Sequence, residues 1–264
     1  MFKAGTPKIK GLVEENPDII RELEQLLIGK VSMFIDYANV RPWSEKLGWH
    51  ISVKRLKQFL DSFENIREVN FYSGTLEGDQ LSIQLINEVQ EFGYKVHTKP
   101  VKIMKLWIDV RDIASMTETS LLRQFISKSL LRKYTAETIE YLNRRFADMN
   151  KLGEFFIEDR KCNFDVEISV DMLLNSERNI ADTFVLWSGD SDFHDPLLQL
   201  LQAGKKVLLF ATARRIAREL NDLRSLGLLI FDIQKIRDFV CWNREISPPI
   251  AKEPPKGNSK LQSQ

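Results

Sequence analysis

A chain of 264 residues that is 43% hydrophobic has enough apolar side chain for one α/β domain with additions, or for two small domains. With 38 Lys and Arg against 37 Asp and Glu the net charge is +1, so bulk charge does not mark a nucleic-acid binder and any such contact must use local patches. Cys162 and Cys241 are far apart in sequence, which excludes a disulfide framework and a cysteine-rich zinc site and leaves two reduced thiols.

The first residues lack the apolar core of a signal peptide, and no run approaches the ~18 apolar residues of a membrane helix. A cytoplasmic protein without membrane contact is expected. Pro17 to Leu27 reads as an amphipathic helix with Ile20, Leu23, Leu26 and Leu27 on one side, and residues 1–30 as an N-terminal helical extension. The apolar strand Met33-Phe34-Ile35 follows and ends in Asp36. After a connection holding Pro42 and Trp43, Ser52 is placed to cap a helix reaching Phe63, and Arg67 to Tyr72 reads as the second strand. A helix over 79–92 should turn Leu81, Leu85, Ile86 and Val89 inward before Gly93 stops it and a third strand runs over 94–97.

Residues 99–159 break this rhythm and read as a helical insertion, with helical periodicity from Thr119 to Met149 divided near Lys133 to Thr135. It is a lid, a substrate clamp or an arm through which a homodimer would form. Alternation resumes with a helix near 164–174, a strand ending at Trp187, a helix over 196–202, the strand 206–211, a helix near 214–223, the strand 228–231 and a helix over 233–240. Strands alternating with helices predict right-handed crossovers and a mainly parallel sheet in a domain spanning 31–242. The Pro-rich, apolar-poor tail over 243–264 reads as disordered.

The second strand end of interest is Phe184-Val185-Leu186-Trp187, followed by Ser188-Gly189-Asp190-Ser191-Asp192-Phe193. Carboxylates at the mouth of buried strands are costly to keep charged without a cation or a donor. In a parallel sheet the strands' carboxyl ends share one rim, where ligands bind. Phosphodiester cleavage puts charge on the attacking and leaving oxygens, which one or two bound cations stabilise. Carboxylates without histidine or cysteine suit magnesium or manganese better than zinc.

Three ordered stretches, Phe34-Ile35-Asp36-Tyr37-Ala38-Asn39, Asp165-Val166-Glu167-Ile168-Ser169-Val170-Asp171-Met172 and Ser188-Gly189-Asp190-Ser191-Asp192-Phe193, resemble the motifs of the NYN domain family, which includes the LabA-like bacterial proteins and belongs to the PIN-like nuclease group. The resemblance implies a three-layer α/β/α sandwich and a divalent-metal ribonuclease site acting on single-stranded or structured RNA. Its catalytic and metal-binding cluster falls on Asp36, Asp165, Asp190 and Asp192, with Asn39 and Ser188 as polar support and Mg2+ or Mn2+ as the cofactor. Ahead of Asp165 stands Lys161-Cys162-Asn163-Phe164, where the family has a Lys-Gly pair.

Each assignment has a structural competitor. Asp165 could cap the helix it opens, and Asp195 before Pro196 has the arrangement of a helix cap. Asp171 lies six residues after Asp165, about 240° around a helix, so the two cannot face one ion and Asp171 reads as a supporting or structural residue. His194 is the histidine nearest the acidic motif, and the five tryptophans read as core. Arg214, Arg215 and Arg218 open a helix after a strand and form the candidate nucleic-acid contact, since a helix N-terminus adds backbone donors for phosphate. A second basic group, including Arg144 and Arg145, falls in the insertion and reads equally as a solvated surface.

Three classes of function follow. The first is a metal-dependent endoribonuclease. The second is an RNA-binding or regulatory module of the same fold without useful turnover. The third, a phosphatase of the haloacid dehalogenase type, wants an aspartate two residues after Asp36, where Ala38 stands.

Overall fold

The computed structural model describes residues 1–107, 135–153, 156–212 and 216–241. Six strands form a wholly parallel sheet in the order β3-β2-β1-β6-β7-β8: β1 (Val31–Asp36), β2 (Ile66–Thr75), β3 (Lys95–Pro100), β6 (Thr183–Trp187), β7 (Lys206–Ala211) and β8 (Leu229–Asp232). Strands β1 and β6 are buried along their full length, as the central strands of a sheet covered on both faces must be.

From β1 the chain winds outward to β2 and β3, and from β6 it winds the opposite way to β7 and β8. Right-handed crossovers therefore lay α5 (Val53–Leu60) and α6 (Gln80–Glu91) on one face and α9 (His194–Gln202) on the other, beside α8 (Asp165–Glu177). The result is the three-layer α/β/α fold. The strand order reverses between β1 and β6, the crevice where ligands of such sheets bind.

The register at that crevice is pinned from the far end. Asp182 accepts the Lys30 N–H at 2.9 Å and the Thr183 hydroxyl donates to the Ile28 carbonyl at 2.6 Å. Gly29, at φ +69°, makes this approach possible, because a Cβ there would lie 2.8 Å from the Asp182 carboxylate. With Val31 thus level with Thr183, Ile35 comes level with Trp187, and Asp36 and Ser188 leave the sheet side by side.

Several local expectations need correction. Leu81 points outward and is 72% exposed, since it lies in the first turn of α6, whereas Ile86 and Val89 reach the core. The N-terminal segment holds two helices, α1 (Pro7–Glu15) and α2 (Pro17–Leu26), each opened by proline in its first turn. The connection after Asp36 winds into the short helices α3 (Tyr37–Val40) and α4 (Trp43–Leu47). Trp43, Trp49 and Trp187 are core residues, while the Trp107 side chain and Trp242 lie outside the described residues.

Residues Val101–Lys161 form a separate compact unit. It holds an antiparallel ribbon, β4 (Lys102–Trp107) with β5 (Phe156–Lys161), and the helix α7 (Ala136–Leu152). The helical insertion expected over 99–159 thus carries a two-stranded ribbon on either side of its helix. The helical expectation over 119–134 and the tail over 243–264 lie outside the described residues. Arg144 and Arg145 are exposed on α7. Among the described residues no helix is long and apolar enough to cross a membrane.

Candidate metal centre

Asp36 ends β1 and caps α3, with Oδ1 accepting the Asn39 N–H at 3.3 Å. Its Oδ2 accepts the Ser188 hydroxyl at 3.1 Å. The oxygen of that hydroxyl in turn accepts the Asp190 N–H at 3.3 Å, so Ser188 joins the ends of β1 and β6. Asp190 caps a single 3-10 turn over Ser191–Phe193, its Oδ1 accepting the Asp192 N–H at 3.3 Å. Its Oδ2 receives the Asn39 side-chain amide at 3.5 Å. Asp36 and Asp190 thus share two partners, Asn39 and Ser188, and Ser188 is fully buried.

Asp165 arrives from a third direction at the first turn of α8. It is not the cap: that position belongs to Phe164, and Asn163 closes the turn by accepting the Asp165 N–H at 2.9 Å. The Asp165 carboxylate carries a buried Oδ2 with no hydrogen-bond partner among the described residues. Asp195 is not a cap either, because α9 begins at His194 and the Asp195 carboxylate meets the His194 ring at 2.8 Å.

Electrostatics join the cluster. Burial drives the Asp36 carboxyl up to about 6; the Asn39 and Ser188 hydrogen bonds oppose this, and the charges of Asp165 and Asp190 add to it. Asp165 is raised first by burial, against the Asn163 interaction, and then by Asp190 and Asp192. Carboxyls that push one another up are groups a cation would relieve.

Among the described residues no group of three or more His, Cys, Asp or Glu is already arranged to hold a metal ion. Every oxygen of Asp36 and Asp190 accepts one donor from the protein. The donor set nonetheless fits a hard cation, for one buried Asp165 oxygen has no hydrogen-bond partner among the described residues and an ion that retains several waters does not need every carboxylate directly.

The basic expectation divides. Arg214 and Arg215 lie outside the described residues. Arg218 opens α10 (Arg218–Asp222) and lines a cavity of about 510 Å³ with Asn221, Arg224 and Lys235. The preceding Ala217 N–H bonds the Gly189 carbonyl at 3.2 Å, tying this segment to the acidic loop.

Residues 104–225 match the NYN domain family. The family lies within the PIN-like nuclease superfamily, and the match takes in Asp165, Ser188, Asp190 and Asp192. It leaves out Asp36 and Asn39, which the sheet brings to the NYN acids. The "Low amplitude and bright protein LabA" of Synechococcus elongatus is 24% identical over 213 residues, 80% of this chain and 87% of its own length. A crystal structure of a protein of unknown function from Vibrio parahaemolyticus covers 81% of this chain and 96% of its own at 16% identity, with a TM-score of 0.48.

What periodicity missed is a polar assembly beside the NYN acids. Tyr72 on β2 donates its hydroxyl to Asp171 on α8 at 2.7 Å and stacks on His97 of β3, ring centroids 4.4 Å apart. Asp171, excluded from the metal cluster by its helical angle, is held away from it by this bond. The only sequence signal was His97 interrupting an otherwise ordinary edge strand.

Proposed function

We propose that the protein is a divalent-metal-dependent ribonuclease that cuts RNA internally, with Asp36, Asp165, Asp190 and Asp192 as the residues that would hold Mg2+ or Mn2+. The observation that carries this reading is the pairing of Asp36 with Asp190 through shared partners beside the orphaned Asp165 oxygen. A divalent ion bound there supplies charge neutralisation at the reacting phosphate. Asn39 and Ser188 keep the two central carboxylates aimed at one point instead of swinging apart. Arg218, with Arg214 and Arg215 beside it in sequence, contributes positive charge for the RNA backbone, so binding should weaken as salt rises.

A labelled single-stranded RNA incubated with manganese tests this directly. Asp36→Asn should lower cleavage about 10²–10³-fold, the loss expected when one well-placed electrostatic group is removed from a site. Cutting at the wild-type rate by a protein carrying both Asp36→Asn and Asp190→Asn would overturn the reading.

A second reading, an RNA-binding or regulatory module without turnover, is favoured by one observation: no three acids among the described residues form a ready-made cage. Tight RNA binding with no product under any divalent ion would select it.

A further inference from the structure

Helix α8 buries Ile168 and Met172 in the core, yet turns Val166 and Val170 outward, 72% and 47% exposed. These valines, one turn apart, border a cavity of about 430 Å³ whose other walls include Phe164, His97, Lys99 and Asp171. Its size falls within the ~300–1,000 Å³ typical of small-molecule sites. Phe164 and Val166 are the two chain neighbours of Asp165, so the cavity opens at the same end of α8 as that acid.

The charges define the occupant. Lys99 is held by Glu167 at 2.5 Å and lies 4.6 Å over the Phe164 ring, so its cation is already matched. Burial keeps His97 below the ordinary histidine range, against the pull of Asp171, and its Nε2 meets the Asn70 side chain at 3.2 Å. That leaves the Asp171 carboxylate, fixed through Oδ2 by the Tyr72 hydroxyl at 2.7 Å and lying 3.6 Å from His97 Nδ1. A cavity with net negative charge repels phosphate and attracts N–H donors. Two exposed valines beside the partly exposed His97 ring, which Tyr72 backs on one face, suit a flat heterocycle.

We propose that this cavity binds an unpaired guanine of an RNA strand, its N1–H and exocyclic amine donating to Asp171 while the adjoining phosphate lies at the acidic cluster. Guanine alone among the four bases presents two neighbouring donors on its Watson–Crick edge, matching a carboxylate's two oxygens, and unpaired bases are read on that edge in single-stranded RNA. Adenine and cytosine set a ring acceptor beside their amine, and uracil flanks its single donor with two acceptors. The inference rests on RNA being the substrate and adds to that reading which base is chosen.

Binding without metal separates the two claims. Fluorescent decamers of oligouridylate carrying one central guanosine, inosine or adenosine are titrated against the full chain in EDTA. The guanosine strand should bind about tenfold tighter than the adenosine strand, the discrimination a good two-bond base contact gives. Inosine, which lacks the amine, should fall between them. Asp171→Asn should bring the guanosine-to-inosine ratio to within about twofold, which a merely structural role would not do. Because Asp171 also holds Tyr72, a second protein carrying Val166→Gln and Val170→Gln, both at exposed positions, should lose about fivefold in guanosine binding while its affinity for plain oligouridylate stays the same. Equal binding of all three strands by the wild type would overturn the guanine site and leave the nuclease reading standing. Failure to bind any of them would overturn the guanine site as well.

Discussion

Two carboxylates on neighbouring strands, Asp36 at the end of β1 and Glu68 near the start of β2, are treated in opposite ways. Glu68 is partly buried, which would raise its pKa, but Asn70 and the Lys95 cation outweigh burial and hold it below the usual glutamate range, with Ser32 helping. It accepts from the Asn175 amide at 2.6 Å, the Ser32 hydroxyl at 3.2 Å and Lys95 at 3.3 Å. Asp36 receives one backbone and one hydroxyl donor, meets no cation among the described residues and faces other acids. A satisfied carboxylate stabilises the fold where it stands, whereas an under-satisfied one is a standing cost that a bound cation would remove. The acid near the start of β2 is therefore satisfied by its neighbours, and the one at the end of β1 is not.

The contrast can be broken most sharply through Asp36. Its folded pKa of about 6 exceeds the ordinary 3.8, so the native state holds the proton more tightly than the unfolded chain. Its contribution to stability is therefore fully present below pH 3.8 and is lost as pH rises through about 6. Asp36→Asn should accordingly stabilise the metal-free protein at pH 8, by about 3 kcal/mol for a shift of roughly two units, with the gain vanishing toward pH 4. Urea unfolding across this range measures it, and a gain that does not depend on pH would contradict the account.

Glu68 should behave in the reverse sense. Its pKa is lowered, so its stabilisation is present above the unfolded value of 4.5 and is lost as pH falls below it. Asn175→Ala removes its shortest donor and should cost about 2 kcal/mol at pH 7. That deficit should shrink on acidification, in a urea series run beside the Asp36 one. The smallest effect sharpens the comparison: manganese at ten times its dissociation constant should stabilise the wild type by about 1.4 kcal/mol, seen as a rise in melting temperature. Asp190→Asn should blunt that rise and Asn175→Ala should leave it intact. A melting curve indifferent to millimolar manganese would remove the distinction between the two regions.

Much of this was legible in the residues. Apolar runs ending in acid marked β1 and β6, and Ser52 marked the start of α5, where its hydroxyl caps the Arg55 N–H. The misses share one cause. A cap motif before Pro196 and an acid at the start of α8 both satisfy local rules, but the 3-10 turn capped by Asp190 moved the start of α9 to His194, and Asn163 took the turn-closing role from Asp165. In both places a competing local bond two residues away took the role. Strands β4 and β5 lie 48 residues apart between Trp107 and Phe156, too far for any short-range pattern to announce their pairing. The Asp171 bond to Tyr72 joins residues 99 apart and left no trace in periodicity.

By itself, the order of residues determined that acids would stand at the carboxyl ends of buried strands, because burial period and strand length are local properties of the chain. Only the tertiary structure decided that β1 and β6 are neighbours, since parallel pairing links segments about 150 residues apart and periodicity carries no information about strand order. That adjacency lets one buried serine hydroxyl touch both acids.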